Sequence, residues 1–298
     1  MSQAKEITLP VPWGHVSAKA WGSPEHFPVL CVHGILDNGG AFDRLISFLP
    51  KHYYYIAVDL PGHGFSSHFP LGIQLNFFDY LLTLRYIVKK FQWKNFMYLG
   101  HSLGGQLGAF YCLVYPNEIE KLVLVEGLAP KIFSHKELIP QIRKIHDTTI
   151  KLQKNDAHKH CFYTRSEIMY ALQFNRAACL NKNAAEALFK RSVSPIGGLY
   201  EYNRDVRLKY YTSPLFDLDQ IICILSQLKV DILFFVTKGT LESLSDYRKS
   251  YLTQLPKHYS GFKVIYIGGN HDVHNNHPER ICNDISEFLD KDNLISKL

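Results

Sequence analysis

Short, nearly uninterrupted apolar runs alternate with amphipathic stretches along most of this chain. The runs are PVLCVHG (28–34), YYYIAVDL (53–60), NFMYLG (95–100), KLVLVEG (121–127), DILFFVTKG (231–239) and FKVIYIGG (262–269). Each is short and rich in β-branched or aromatic residues, which is the pattern of strands buried on both faces of a parallel sheet. The opening KEITLPVPWGHVSAKAWG breaks at Pro12 to Gly14 and predicts an antiparallel hairpin at the sheet edge. Between the runs, FFDYLLTLRYIVKKF (77–91) is apolar around most of its circumference, as a helix packed under a sheet should be. DLDQIICILSQLK (217–229) opens with Asp217 and Gln220 in capping-box spacing, and it places Leu218, Ile221, Ile222, Leu225 and Leu228 on one face. This alternation predicts an α/β fold with a mostly parallel eight-stranded sheet flanked by helices.

The alternation stops between residues 129 and 215. That stretch is richer in Lys, Asn and His, reads as mostly helical, and falls between two strands of the same sheet. It is expected to be an inserted helical cap (129–215), leaving 1–128 and 216–298 as one core. Its aromatic segments IMYALQF and GLYEYNRDVRLKYY would form either an apolar pocket wall or the cap's own interior.

Candidate chemistry enters at FMYLGHSLGGQLGAFYCLV (96–114). Gly100-His101-Ser102-Leu103-Gly104 ends an apolar strand and starts a small-residue helix, which matches the G-x-S-x-G nucleophile elbow. In such a turn the serine hydroxyl stands clear of the sheet. The N–H of Leu103 and the positive end of the helix then converge on a developing oxyanion. A second donor is expected from the loop after an earlier strand, where VLCVHGILDN (29–38) offers the N–H of Ile35 beside Gly34. His33 and His63 read as hydrogen-bonding shapers of their loops. His101 and His274, with His33 and Gly34, are expected near the pocket.

A second constellation, IGGNHDVHNNHPERI (267–281), spaces His271, His274 and His277 three apart. Three histidines suggest a metal site. However, Pro278 keeps His277 out of a continuous helix, so the three do not share one helical face, and no metal is expected.

HGILDNGGAFDRL, AVDLPGHGFSS, GHSLGG and GGNHDVH occur in the order and spacing of the α/β-hydrolase family, which the whole chain resembles. VPWGHVSAKAWG and HG-x-LDN resemble more narrowly the serine hydrolase-like, Kraken-type branch. The resemblance implies Ser102 as nucleophile and His271, the first histidine after the last core strand, as general base. It implies a carboxylate between them in sequence. Glu242, three residues past Gly239, is the favoured acid, Glu126 the alternative, and Asp246 a further one. The implied activity is hydrolysis of a small-molecule or lipid ester or an acyl thioester without a cofactor. Serine rather than aspartate at the elbow argues against epoxide hydrolase and dehalogenase chemistry. A C–C bond hydrolase and a catalytically silent binding protein of the same fold are the rival readings.

Composition changes this picture little. The net charge of +6 is spread along the chain without a basic stripe, so nucleic acid is not an expected partner. Six cysteines lack C-x-x-C spacing and read as reduced core residues. No run is long and apolar enough to span a membrane, and the opening residues carry no apolar signal region. Ser296-Lys297-Leu298 matches the tripeptide read by the peroxisomal import receptor, so a peroxisomal location is expected.

Overall fold

The computed structural model describes residues 4–154 and 161–291; the Ser296-Lys297-Leu298 tripeptide lies outside them. In chain order the strands are β1 (Lys5–Val11), β2 (Gly14–Trp21), β3 (Phe27–Val32), β4 (Tyr53–Val58), β5 (Phe96–His101), β6 (Ile119–Val125), β7 (Val193–Ile196), β8 (Leu199–Tyr202), β9 (Asp231–Thr237) and β10 (Phe262–Ile267). The helices are α1 (Asp43–Phe48), α2 (Phe77–Phe91), α3 (Leu103–Val114), α4 (His135–Lys154), α5 (Arg165–Phe174) and α6 (Lys182–Ser192). They continue with α7 (Leu218–Leu225), α8 (Lys238–Ser243), α9 (Asp246–Gln254), α10 (Val273–Asn276) and α11 (Cys282–Asp290).

Eight strands form one sheet in the order β1-β2-β4-β3-β5-β6-β9-β10. β1 and β2 pair antiparallel with Val11 opposite Gly14, so the edge hairpin turns at Pro12-Trp13. β2 is also antiparallel to β4, and every other neighbouring pair is parallel. The apolar runs become strands because both their faces are covered: β4 and β5 are buried at every residue. One core layer lies under α2, α3 and α7, where Leu84, Leu107 and Ile221 pack; Phe42, Ile46 and Ile285 fill the other face. The six apolar runs become strands that end within one or two residues of their predicted limits. α2 begins at Phe77 behind an Asn76 cap, and α7 begins behind the Asp217/Gln220 capping box.

Because β6 and β9 are neighbours in the sheet, everything between them is an excursion from one strand end to the next. This insert, expected to be mostly helical, is not helical throughout. Alongside α4, α5 and α6 it contains the antiparallel hairpin β7-β8. Gly197 and Gly198, at φ +57° and +82°, supply the two left-handed residues that a two-residue hairpin turn requires. The insert has its own small core, in which Ile168, Leu172, Ala185 and Leu188 are buried.

The insert's second half is fastened to the core by side-chain amides. Asn38 donates to the Leu188 carbonyl at 3.1 Å and Asn275 to the Ala184 carbonyl at 3.2 Å. Asn270 and Asn276 both donate to the Cys179 carbonyl, at 2.7 and 2.8 Å. A Cβ at Gly40 would run into the Ala187 carbonyl, so α6 lies directly against the segment after β3.

Candidate active site

β3, β5, β6, β9 and β10 run parallel, so the residues after them gather at one edge of the sheet. Ser102 sits there at the junction of β5 and α3 with φ +50° and ψ −115°, a left-handed conformation that costs a non-glycine residue about 1–3 kcal/mol. The strain is held from both sides. Ser102 N–H donates to the Val125 carbonyl at 3.0 Å, and the Ser102 carbonyl accepts the N–H of Gln106 at 3.1 Å. The surrounding small residues are sterically required. A Cβ at Gly100 would lie 2.6 Å from the Gly104 backbone, and one at Gly104 would overlap the Val32 carbonyl. At Gly127 a Cβ would come within 2.6 Å of Ser102 Cα. Removing the side chains at these positions is what lets the serine stand at the tip.

Gly34 brings the β3 loop against the elbow, where a Cβ would lie 3.0 Å from Ser102 Cβ. Leu36 N–H is committed to His63 Nε2 at 3.1 Å, and Asp37 N–H to the Gly34 carbonyl at 3.1 Å. Among the described residues neither Ile35 N–H nor Leu103 N–H has an acceptor. These are the two donors expected from the sequence.

His271 follows β10 in the turn before α10. Its Nδ1 is 3.1 Å from Glu126 Oε2, and its side chain is 37% exposed while that of Glu126 is fully buried. Glu126 leaves β6 with φ +59°. Its other contacts are to the Thr237 N–H and the Thr240 hydroxyl, both of which donate to the carboxylate. Burial pushes the Glu126 carboxyl up, but hydrogen bonds from His271, Thr240 and Thr237 outweigh that and hold it below its ordinary value. For His271 burial favours the neutral ring. The hydrogen bond to Glu126 and its charge, with Asp272 and Asp37 behind, reverse this and raise the imidazole above its ordinary value.

The favoured pairing from the sequence, Glu242 with His271, is therefore replaced by Glu126 with His271. α8 starts directly after β9 at Lys238 and carries Glu242 a full turn beyond the strand end, where it is exposed. Asp246 opens α9, and its side chain lies outside the described residues.

His33, Gly34, His101 and His274, expected near the pocket, are buried; Gly34 lies against Ser102 and the His101 ring against His271. His33 Nε2 accepts the Leu60 N–H at 3.0 Å, so Nδ1 carries the proton donated to the Gly34 carbonyl at 2.7 Å. Burial pushes this ring down to about 4, which keeps it neutral. His63 behaves alike, lowered to about 3. His101 Nε2 donates to the His271 carbonyl at 2.9 Å and so fixes the backbone of the candidate base. His274 stacks on His101 with centroids 3.9 Å apart, and burial drives it well below its ordinary value. His277 is at the surface beside Glu279, 3.1 Å away. The three histidines of the 267–281 segment thus face three different environments. Asp37, His101 and Asp272 are the described groups whose donor atoms, all within 4.8 Å of one another, could hold a cation. The cation they meet is the guanidinium of Arg176, 2.7 Å from Asp37 and 3.2 Å from Asp272. Sequence reading missed Arg176. Its partners lie far away in the chain, and no local pattern marks it.

Topology and elbow together define the class. The chain belongs to the alpha/beta hydrolase fold family, whose model matches residues 28–278. It is similar to the serine hydrolase-like protein of Danio rerio, 31% identical over 291 residues, covering 96% of this chain and 88% of that one. Serine hydrolase-like protein 2 of Homo sapiens is 31% identical over 295 residues, with 95% and 93% coverage. A hypothetical protein of Pseudomonas aeruginosa PAO1 has the same fold, at TM-score 0.83 and 24% identity, over 96% of this chain and 98% of that one. So has the thioesterase domain from the curacin biosynthetic pathway, at TM-score 0.78 and 22% identity, over 95% and 99%.

Proposed function

We propose that this protein is a serine hydrolase that cleaves an ester-like carbonyl, carboxylester or acyl thioester, through an acyl-enzyme. Ser102 is the nucleophile, His271 the general base and Glu126 the acid that orients it. Ser102 Oγ attacks the carbonyl carbon and its proton passes to His271 Nε2. Nδ1 is already engaged by Glu126, which stabilises the imidazolium as it forms. The oxyanion falls between the N–H groups of Ile35 and Leu103. Collapse expels the alcohol or thiol, which takes the proton from His271. Water then repeats the sequence on the acyl-serine and releases the acid. The insert acts as a cap over this edge of the sheet.

The observation that carries this reading is the buried Glu126 carboxylate on His271 Nδ1, at the sheet edge that also holds Ser102 in a left-handed turn. The test is labelling with a fluorophosphonate, which reacts only with an activated serine. Labelling of the native protein that is lost in Ser102→Ala supports the reading. A folded native protein that takes up no label refutes it. A panel of p-nitrophenyl esters and acyl thioesters of increasing chain length then sorts the substrate class.

A further inference from the structure

One terminal nitrogen of Arg176 bridges two buried carboxylates that belong to different loops. Asp37 is in the segment after β3 that carries Ile35, and Asp272 is the residue after His271. Their side chains are 2% and 3% exposed, and that of Arg176 is 17% exposed. Arg176 itself comes from the insert, between α5 and α6. The same two loops are joined a second time inside the core: His101 Nδ1 lies 3.6 Å from Asp37, and its Nε2 holds the His271 carbonyl. Next to the arginine, the insert's 179–181 turn is bound to the same loop. The Asn181 N–H donates to the Asn276 side-chain oxygen at 2.8 Å, and the Asn181 side chain to the Asn276 carbonyl at 2.8 Å.

Without the guanidinium, two adjacent buried carboxylates would face each other with only the His101 ring close to Asp37. The charges already show this tension. Burial raises Asp37, yet Arg176, aided by His101 and His33, holds it far below its ordinary value. Asp272 stays raised, by burial and by the charge of Asp37, against the pull of Arg176, His101 and His271. The guanidinium that faces both carboxylates is supplied by the insert.

We propose that Arg176 is a positioning residue that makes seating of the insert and alignment of the oxyanion loop with the His271 loop a single event. The proposal rests on the hydrolase reading for its kinetic consequence, but not for its structural one. The test therefore has two arms on the full-length protein. In hydrogen exchange, Arg176→Gln is expected to speed exchange in both 33–39 and 270–276, with β3, β5 and β6 still protected. Faster exchange confined to the insert would overturn the proposal. In p-nitrophenyl ester hydrolysis, the same variant is expected to lose about tenfold to a hundredfold in kcat through misalignment. KM should stay within about twofold. Partial recovery is expected in Arg176→Lys, which restores the charge without the planar fork. A loss expressed wholly in KM, or no recovery by lysine, would overturn it. If Arg176→Gln does not fold, Asp272→Asn is expected to loosen the same two segments, and unchanged exchange there would be decisive against the idea. A native protein without esterase activity would sink the hydrolase reading while leaving the exchange arm able to decide the clamp.

Discussion

The ends of β6 and β9 lie side by side at the same edge of the sheet, and each is followed by a glutamate, yet the two acids have opposite fates. Glu126 is the residue directly after β6, turned by its left-handed backbone into a buried position with three hydrogen-bonding partners. Glu242 is five residues past β9 and exposed on a helix that started immediately. The β9 end contributes to the site differently. Its Thr237 N–H and Thr240 hydroxyl are donors to the neighbouring strand's carboxylate. One strand end supplies the charge and the other the cradle. A carboxylate is useful in a dry position only where donors stabilise its ionised form, and only the β6 position has them.

The comparison breaks most directly by exchanging acids for amides. Glu126→Gln should reduce kcat on the order of 10³- to 10⁴-fold, the size seen when the orienting carboxylate of a Ser-His-acid site becomes an amide. Equal losses in Glu242→Gln, measured on the same ester, would show that the two strand ends are not distinct. A pH profile sharpens the point. As the proposed base, His271 would act only when neutral, so activity should fall as pH drops through its raised value, placing the acid limb above the ordinary histidine value. The residual activity of Glu126→Gln should have that limb moved to lower pH, and Glu242→Gln should leave it in place. Thr240→Val removes one donor to the carboxylate and should cost about tenfold in kcat, from a charge-assisted hydrogen bond of roughly 1.5–3 kcal/mol only partly expressed in the barrier. Smallest of all, Glu242→Gln should change kcat/KM and thermal midpoint within error, as exposed substitutions generally do.

Much of this was legible in the sequence, because strands buried on both faces must be apolar at every position. β3 through β6 and β9 therefore stand out as runs; β10, at the sheet edge, reads as one too although only Phe262 in it is buried. The elbow is equally legible, since Gly100 and Gly104 touch backbone where a side chain cannot fit. His271 could be placed because only one strand comes late enough. The acid could not, since a glutamate follows each of the two strand ends and sequence spacing does not show which is buried; the deciding facts are a single positive φ and donors contributed from residues 237 and 240. The β7-β8 hairpin was hidden in a segment whose composition resembles helix surface, although Gly197-Gly198 was its local signal. Arg176 carried no signal at all. Its two carboxylates are brought to it only by the complete fold.

The asparagines that fasten the insert have one more consequence. Asn38, Asn270, Asn275 and Asn276 all grip carbonyl oxygens, of residues 179, 184 and 188, and Asn38 adds the Ser192 hydroxyl. A carbonyl is the same whichever amino acid bears it. The core therefore recognises the path of the insert and is indifferent to much of its lettering, so residues at those grip points are open to exchange while the chain keeps its course. Such a socket should accept a foreign insert of matching backbone, provided it keeps the arginine at 176 that pairs with Asp37 and Asp272 beside the candidate site.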